Sequence, residues 1–347
     1  MARGPSSTGI GAARGLAAAL GVGAALLLAC AAAAAAPFYE GKTLTIVVGY
    51  DPGGGYDRMA RVVARHLPKH LPGSPAVVVQ NMPGAASVIA ANYLYTVAKP
   101  DGLTIGAFNR NLPLGQLVKA EGIRFDVRKF AWIGSMATEN NLLLVRSDLP
   151  IASFADIQKL KEPLVVGATG PGASSYDFPM LLKAYLGANL RVLSGYKSSA
   201  DTILALERKE VDAVVNSYSS VKPFIERGLL RPVVRTRATE PEIRHLPVDE
   251  ELAPTPLARA VLALRSIPEV IGRPYVAPPG TPAERLEILR EAFARVARDP
   301  EAIADAARGK LTLHYVPGAE AERIVAEIFT QPDEVVREFT KHVRFGD

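Results

Sequence analysis

Pro52-Gly53-Gly54-Gly55-Tyr56-Asp57 ends a short apolar run of β type, Thr43 to Tyr50, and opens onto a helical pattern. The chain uses this kind of corner twice more. Met82-Pro83-Gly84-Ala85-Ala86-Ser87 follows Ala76 to Asn81, and Gly170-Pro171-Gly172-Ala173-Ser174-Ser175 follows Pro163 to Thr169. Residues with so little side chain leave backbone N–H groups open, and a helix starting beyond them adds unpaired donors and a positive dipole end. The chemistry on offer is the grip of a small anion without a charged side chain. Groups that would transform the captured molecule are missing. There is no G-x-S-x-G elbow, H-E-x-x-H pair, Walker lysine or G-x-G-x-x-G loop, and the five histidines, His66, His70, His245, His314 and His342, lie outside the three corners.

The elements that would hold these corners alternate between strand and helix. Met59, Val62, Val63 and Leu67 recur at helical spacing within Tyr56 to His70, with Asp57 able to cap the start and Pro68 and Pro72 to end it. Ala85 to Ala98 reads as a second helix and Leu103 to Phe108 as a third strand, followed by strands Phe130 to Ser135 and Leu142 to Arg146. Such alternation implies βαβ units with ligand loops at the carboxyl ends of parallel strands. The polar segment Met136 to Asn141 is the expected crossing into a second domain. Helix Ile151 to Leu160 and strand Leu164 to Ala168 open that domain, and strand Pro232 to Arg235 closes it. The proline-rich stretch Arg237 to Pro256 is the expected return. Strand Tyr275 to Ala277 and helices Ala283 to Arg298, Pro300 to Ala307 and Ala319 to Phe329 follow.

With 347 residues, 48% of them hydrophobic and 22% charged, the chain fits two globular α/β domains. Arg3 and Arg14 precede an apolar run, Gly15 to Ala29, and an alanine tract, Ala31 to Ala36. This is the layout of a secretory signal peptide, and the run is shorter than the roughly twenty residues of a membrane span. Residues 1–36 are therefore expected to be removed, placing the protein in the periplasm. The only cysteine, Cys30, sits in a Leu-Leu-Ala-Cys string that resembles a lipoprotein cleavage box, so a lipid anchor at Cys30 is the alternative to cleavage near Ala36. Net charge is +5, and the rest of the chain beyond Ala36 carries 38 basic against 35 acidic residues. The basic residues form no run, which argues against a nucleic-acid partner.

In order along the chain, these motifs resemble those of the tripartite tricarboxylate transporter solute-binding receptors, the Bug-type periplasmic proteins. Pro52, Gly53, Gly54, Gly55 and Asp57 match the family's P-G-G-G-[ST]-D string, and Asn81, Pro83, Gly84 and Ala85 match E-N-R-P-G-A-[GS]. Further matches are Pro100 to Thr104, Ala168 to Ser174, Tyr196 to Ser199 with Val211-Asp212, and Ala277 to Pro282. The resemblance implies a two-lobed α/β fold of the type II periplasmic-binding-protein kind, with two parallel or mixed sheets flanked by helices and joined by two interdomain crossings. It implies no catalysis and no cofactor. It also implies a small carboxylate ligand, membrane permease subunits as partners, and a monomer. One lobe would comprise 37–139 completed by 238–347, and the other 140–237. A ligand-sensing co-receptor for a signalling kinase and a periplasmic hydrolase are the alternatives.

Residues expected at the ligand are Tyr50, Gly54, Gly55, Tyr56 and Asp57 from the first corner and Gly84, Ala85, Ala86 and Ser87 from the second. Thr169, Gly172, Ala173, Ser174 and Ser175 come from the third, with Arg110, Asn216 and Ser217 at other strand ends. Each has a plainer reading. The glycines serve as turn residues, Asp57 as a helix cap and loop organiser, and Thr169, Ser174 and Ser175 as N-cap hydroxyls. Asn216 and Ser217 serve as turn residues, and Arg110 as a solvated loop arginine. A grip made mainly of local dipoles predicts a modest salt dependence, and valine at Gly54 or Gly84 is expected to block binding with the fold intact. His66 and His70, four apart, lack a neighbouring carboxylate and are not expected to bind metal. Trp132 reads as core. Tyr56, Gln80, Met82, Asp51 and Asp177 depart from the family's usual residues. Tyr56 and Tyr176 offer rings to the cleft and Asp177 would repel a second carboxylate, which favours a monocarboxylate or a ligand with an aromatic or polar body.

Overall fold

Thr43–Val48 (β1) pairs in parallel with Ala76–Asn81 (β2) on one side and Thr104–Ala107 (β3) on the other. Pro274–Ala277 (β10) lies antiparallel between β3 and Ala131–Ser135 (β4), and Val316–Pro317 (β11) closes the far edge. The computed structural model from which these pairings come describes residues 1, 2, 4, 37–237 and 240–345. Nearly all of the expected leader, with Cys30, lies outside them. A second mixed sheet runs in the order Leu190–Leu193 (β7), Leu164–Gly167 (β6), Ala213–Ser217 (β8), Asn141–Arg146 (β5) and Leu230–Arg235 (β9). The chain changes sheets between Ser135 and Asn141 and returns between Arg235 and Pro274. The two sheets and their flanking helices form the two-lobed α/β fold.

Helices follow strands at the ends where ligand loops belong. Gly55–His66 (α1) follows β1, Val88–Thr96 (α2) follows β2 and Leu112–Leu117 (α3) follows β3; Phe154–Gln158 (α4) precedes β6. In the second lobe Ser174–Leu186 (α5) follows β6, Ser199–Glu207 (α6) follows β7 and Tyr218–Glu226 (α7) follows β8. Pro256–Ser266 (α8), Ala283–Val296 (α9), Pro300–Arg308 (α10), Gly318–Ile328 (α11) and Asp333–Thr340 (α12) complete the chain. Both faces of the first sheet are covered. Leu44, Ile46 and Val48 of β1 join the apolar cluster of Met59 and Val63, while Val47 joins that of Val88, Ala91 and Leu94. Each such side chain contributes about 1.5–3 kcal/mol by leaving water. Trp132 is buried in this core, its indole N–H donating to the Val127 carbonyl at 3.0 Å.

Several elements depart from expectation. The helix foreseen at 151–160 begins only at Phe154, because the Asp156 carboxylate accepts the Ser153 amide and fixes the cap there. Residues 85–98 do not form one helix, since Gly84, Ala85, Ala86 and Ser87 all have positive φ and a regular helix starts only at Val88. α3, α8 and α12 lie in stretches where no helix was foreseen. Thr255 caps α8 by accepting the Ala258 amide, and Pro256 stands at its first position, so the prolines there start a helix rather than prevent one. The polar segment between the sheets is not solvated: Met136, Ala137, Glu139 and Asn140 are all buried. No helix among the described residues is long and apolar enough to cross a membrane.

Candidate functional site

The carboxyl ends of β1, β3, β6 and β8 meet in one cavity of about 580 Å³, counting its open mouth. The first lobe contributes Tyr50, Gly54, Gly55, Tyr56, Asn109 and Arg110, together with Arg273 from just before β10. Thr169, Ala173, Ser174 and Ser175 face them, with Ser198 and Ser199 at the start of α6 and Asn216, Ser217 and Ser220 around the start of α7. The first amides of α1 and α5 have no acceptor within their own helices, and Gly55, Ser174 and Ser175, which carry them, line the cavity. Most of the lining residues thus carry a hydroxyl or carboxamide group. Two guanidinium groups are set among them.

Arg110 is 3% exposed and so is not a solvated loop side chain. Its Nη1 donates to the Gly272 carbonyl at 3.3 Å and its Nη2 to Asn141 Oδ1 at 3.0 Å, while Nε has no partner. Its backbone N–H donates to the Tyr56 hydroxyl at 3.0 Å, and Tyr56 stacks on Tyr50 with ring centroids 5.0 Å apart. Burial opposes the charge on Arg110, yet the proximity of Tyr56, Glu269 and Glu139 holds its pKa above the ordinary guanidinium value. Burial also pushes the Tyr50 phenol well above its usual range, so it enters the cleft as a neutral hydroxyl.

Arg273 went unnoticed in the sequence. Its Nη2 pairs with Glu139 Oε1 at 3.0 Å and donates to Ser220 Oγ at 3.3 Å, and its guanidinium lies 4.6 Å from the Tyr56 ring centroid. Glu139 belongs to the buried segment between the sheets and also accepts from Ser219 Oγ at 2.6 Å. A second buried pair sits behind. Arg265 donates to Glu269 Oε1 at 2.7 Å, and Glu269 also accepts from Asn141 Nδ2 and Thr236 Oγ1. Asn141 therefore links Arg110 to this pair through its amide. Nothing in sequence spacing signals contacts between residues more than a hundred positions apart.

The three small-residue corners divide their work. Gly54, Gly55, Thr169, Ala173, Ser174 and Ser175 line the cavity as expected positions. Gly55 is obligatory for a specific reason: a Cβ there would stand 2.4 Å from Arg273 Nη2. Asp57 is behind the corner, accepting the Gly53 amide at 2.9 Å and Asn81 Nδ2 at 2.9 Å and pairing with Arg61. Burial opposes it, but those hydrogen bonds hold its carboxyl below the usual value. Asp177 is buried in the corresponding place in the other lobe and lies outside the cavity, so it repels no ligand; Tyr176 does not line the cavity either. The Gly172 amide, foreseen as a ligand donor, is occupied by Asp177, and the Thr169 amide donates to Ser175 Oγ.

Gly84, Ala85 and Ala86 line an adjoining chamber with Asp51, Pro171 and Lys197, rather than the main cavity. Their left-handed run costs of order 1–3 kcal/mol per non-glycine residue and persists only where neighbours enforce it. Ser87 is the enforcer. It is buried, donates to the Gly49 carbonyl at 3.1 Å and accepts the Asn109 amide at 3.2 Å, so it is a brace and not a ligand contact. Gly84 has φ +131°, a conformation that L side chains rarely adopt, so valine there would strain the loop itself, contrary to expectation. His66 and His70 do have carboxylate neighbours, Asp305 at 3.1 Å and Asp299 at 2.8 Å on either end of α10.

Two α/β lobes that bring their strand ends to a common cleft of unmet donors define the solute-binding class of protein. Within that class, this chain belongs to the tripartite tricarboxylate transporter family of receptors, whose profile matches residues 59–340. It is 30% identical over 210 residues to a UPF0065 protein of Bordetella pertussis, covering 58% of this chain and 62% of that one. The fold is similar to that of the periplasmic binding protein BugD, with a TM-score of 0.71 and 20% identity over 88% of this chain and 100% of that one. It is similar to the same degree to R. palustris Rpa4515 with adipate, at TM-score 0.71 and 23% identity over 88% of this chain and 99% of that one.

Proposed function

We propose that this chain captures a small carboxylated organic molecule in the cleft between its lobes and presents it to the membrane permease subunits of a tripartite tricarboxylate-type transporter. One observation carries the reading: a buried guanidinium, Arg110, lines the cleft with no carboxylate within ion-pair distance among the described residues. Such a cation in a hydroxyl-lined cavity is stabilised when an anion arrives. In this reading the lobes comprise 37–139 with 238–347 and 140–237, and closure between them sequesters the ligand. Residues 1–36 act as a leader delivering a monomeric receptor to the periplasm, either cleaved near Ala36 or lipid-anchored at Cys30. Family membership supports this role, and adipate in the related Rpa4515 structure supports the ligand class.

The test is a thermal-shift screen of the protein against mono-, di- and aromatic carboxylates, each beside its uncharged amide, followed by calorimetry. Carboxylates are expected to raise Tm where their amides do not. Equal shifts from acids and amides would overturn the reading.

A further inference from the structure

The buried charges around the cleft do not balance. Three arginines, Arg110, Arg265 and Arg273, are each at most 3% exposed. Glu269 answers Arg265 at 2.7 Å and Glu139 answers Arg273 at 3.0 Å. No third carboxylate pairs with Arg110 among the described residues. Asp57, buried behind the first corner, is answered by Arg61 at 2.9 Å. The two other buried acids of this region, Asp177 and Asp249, have unpartnered carboxyl oxygens and no cation within ion-pair distance among the described residues. Burial raises both to about 8, so each is mainly a neutral carboxylic acid at pH 7. The apo cleft therefore carries one positive charge in excess. The adjoining chamber does not add to it, because its lining holds one cation and one acid, Lys197 and Asp51.

We infer that the cleft is built for a ligand with a single anionic group, held at Arg110, whose remainder is uncharged and rich in hydrogen-bonding or aromatic groups. This deepens the carboxylate-capture reading and rests on it. One carboxylate closes the charge balance. A second would enter a low-dielectric site with no cation left to meet it, at a cost that its attraction to Arg110 cannot return. Asp177 plays no part in the selection, since it lies outside the cavity. The stacked pair Tyr50 and Tyr56 gives part of the lining an aromatic surface for the neutral part of the ligand, and Ser199 and Ser217 offer hydroxyls that both donate and accept.

The experiment compares matched acids that differ only at the far end: hexanoate, 6-hydroxyhexanoate and adipate, then benzoate, 4-hydroxybenzoate and terephthalate. Affinities are measured by calorimetry at pH 5.5 and 7.5. The best monoanion of a series is expected to bind at least about tenfold more tightly than the dianion at pH 7.5. Its affinity should hold between the two pH values. The dianion should tighten at pH 5.5, with proton uptake visible as a buffer-dependent heat, because it enters only after taking up a proton. A dianion that binds as tightly as its monoanionic partner at pH 7.5, without proton uptake, overturns the single-anion inference and leaves carboxylate capture standing. Binding by hexanamide or benzamide equal to that of the acids, or binding unaffected by Arg110→Gln, overturns both. Absence of binding by every acid of both series also overturns both.

Discussion

Asp177 accepts the backbone N–H of Gly172 at 3.1 Å, from the first turns of α5 back into the loop that precedes it. Asp57 serves Gly53 in the same way at 2.9 Å in the other lobe. The two carboxyls differ in their company. Asp57 has Arg61 and Asn81, whereas Asp177 is buried with its second oxygen unpartnered. One is held as an anion and the other as an acid.

That difference fixes a pH dependence. Burial raises Asp177 and Asp249 to about 8, against an ordinary aspartate value of 3.8. Between about pH 4 and pH 8 the folded state holds protons that the unfolded chain has released, so stability falls as pH rises through this window. Each group contributes a slope of up to about 1.4 kcal/mol per pH unit. Tm should therefore decline from pH 5 to pH 8 in calorimetric scans. Asp177→Asn keeps the acceptor for Gly172 and should flatten the decline; an unchanged slope in that variant would refute the assignment.

Arg110→Gln separates stability from binding. The substitution removes hydrogen bonds to Gly272 and Asn141 and a charge that nearby Glu269 and Glu139 favour, so the apo protein should stay folded at a cost of about 1–3 kcal/mol. Binding of the best carboxylate should weaken by about a hundredfold or more, which corresponds to about 2.7 kcal/mol. Unchanged affinity, or a loss of affinity that accompanies collapse of the native near-UV circular dichroism, would show that Arg110 acts on the fold instead.

Gly54 and Gly55 are adjacent and should respond oppositely. A Cβ at Gly54 would find its nearest atoms at 3.5 Å and 3.8 Å, on Ser199 and Ser198. Serine is also a favourable N-cap, so Gly54→Ser should fold normally while narrowing the cleft and weakening binding by about tenfold. Gly55→Ala pushes on Arg273 and loosens it from Glu139. Leaving that buried carboxylate unpaired should cost about 3–5 kcal/mol. Chemical denaturation of the two variants distinguishes them.

Salt should matter little even though the grip includes a formal charge. Arg110 is 3% exposed, and buried charges are poorly screened. Raising salt from roughly 20 to 200 mM should weaken binding less than about threefold. The modest dependence first expected from backbone dipoles thus survives with a different cause, and a steep loss would place the anion on an exposed cation such as Lys197.

The positions of most strands and of the three corners were legible because their signals are local: apolar runs of strand length, then Pro and Gly, then helical periodicity. The corners are turns at strand ends as expected, but the second lies beside the main cavity and part of their chemistry differs. Glycine-rich sequence reveals that amides are unshielded, but not that Asp177 and Ser175 occupy two of them. The electrostatic half of the site was illegible. Arg273 meets Glu139 and Arg110 meets Asn141 only because two chain crossings are folded against one loop, and no spacing records that. α8 was hidden by its own start signal, since Pro254 and Pro256 read as breakers when Thr255 and Pro256 form a cap and first turn.

Phe345, close to the end of the described chain, gives the last prediction. Its ring is buried against two glycines of different elements: a Cβ at Gly115 in α3 would lie 2.9 Å from its Cδ1, and one at Gly172 would lie 2.2 Å away. The ring thus clamps the back of the third corner, whose Gly172 carbonyl also accepts from Asn109 Nδ2 at 2.9 Å. Phe345→Ala should cost about 3 kcal/mol, the low end for a buried phenylalanine. It should also release the corner that carries Ser174 and Ser175, so affinity for the best carboxylate should fall although the residue does not line the cavity. Hydrogen exchange should quicken at Gly172 and Ala173 in the variant. A lower Tm with unchanged affinity and unchanged exchange at those amides would reduce Phe345 to a packing residue.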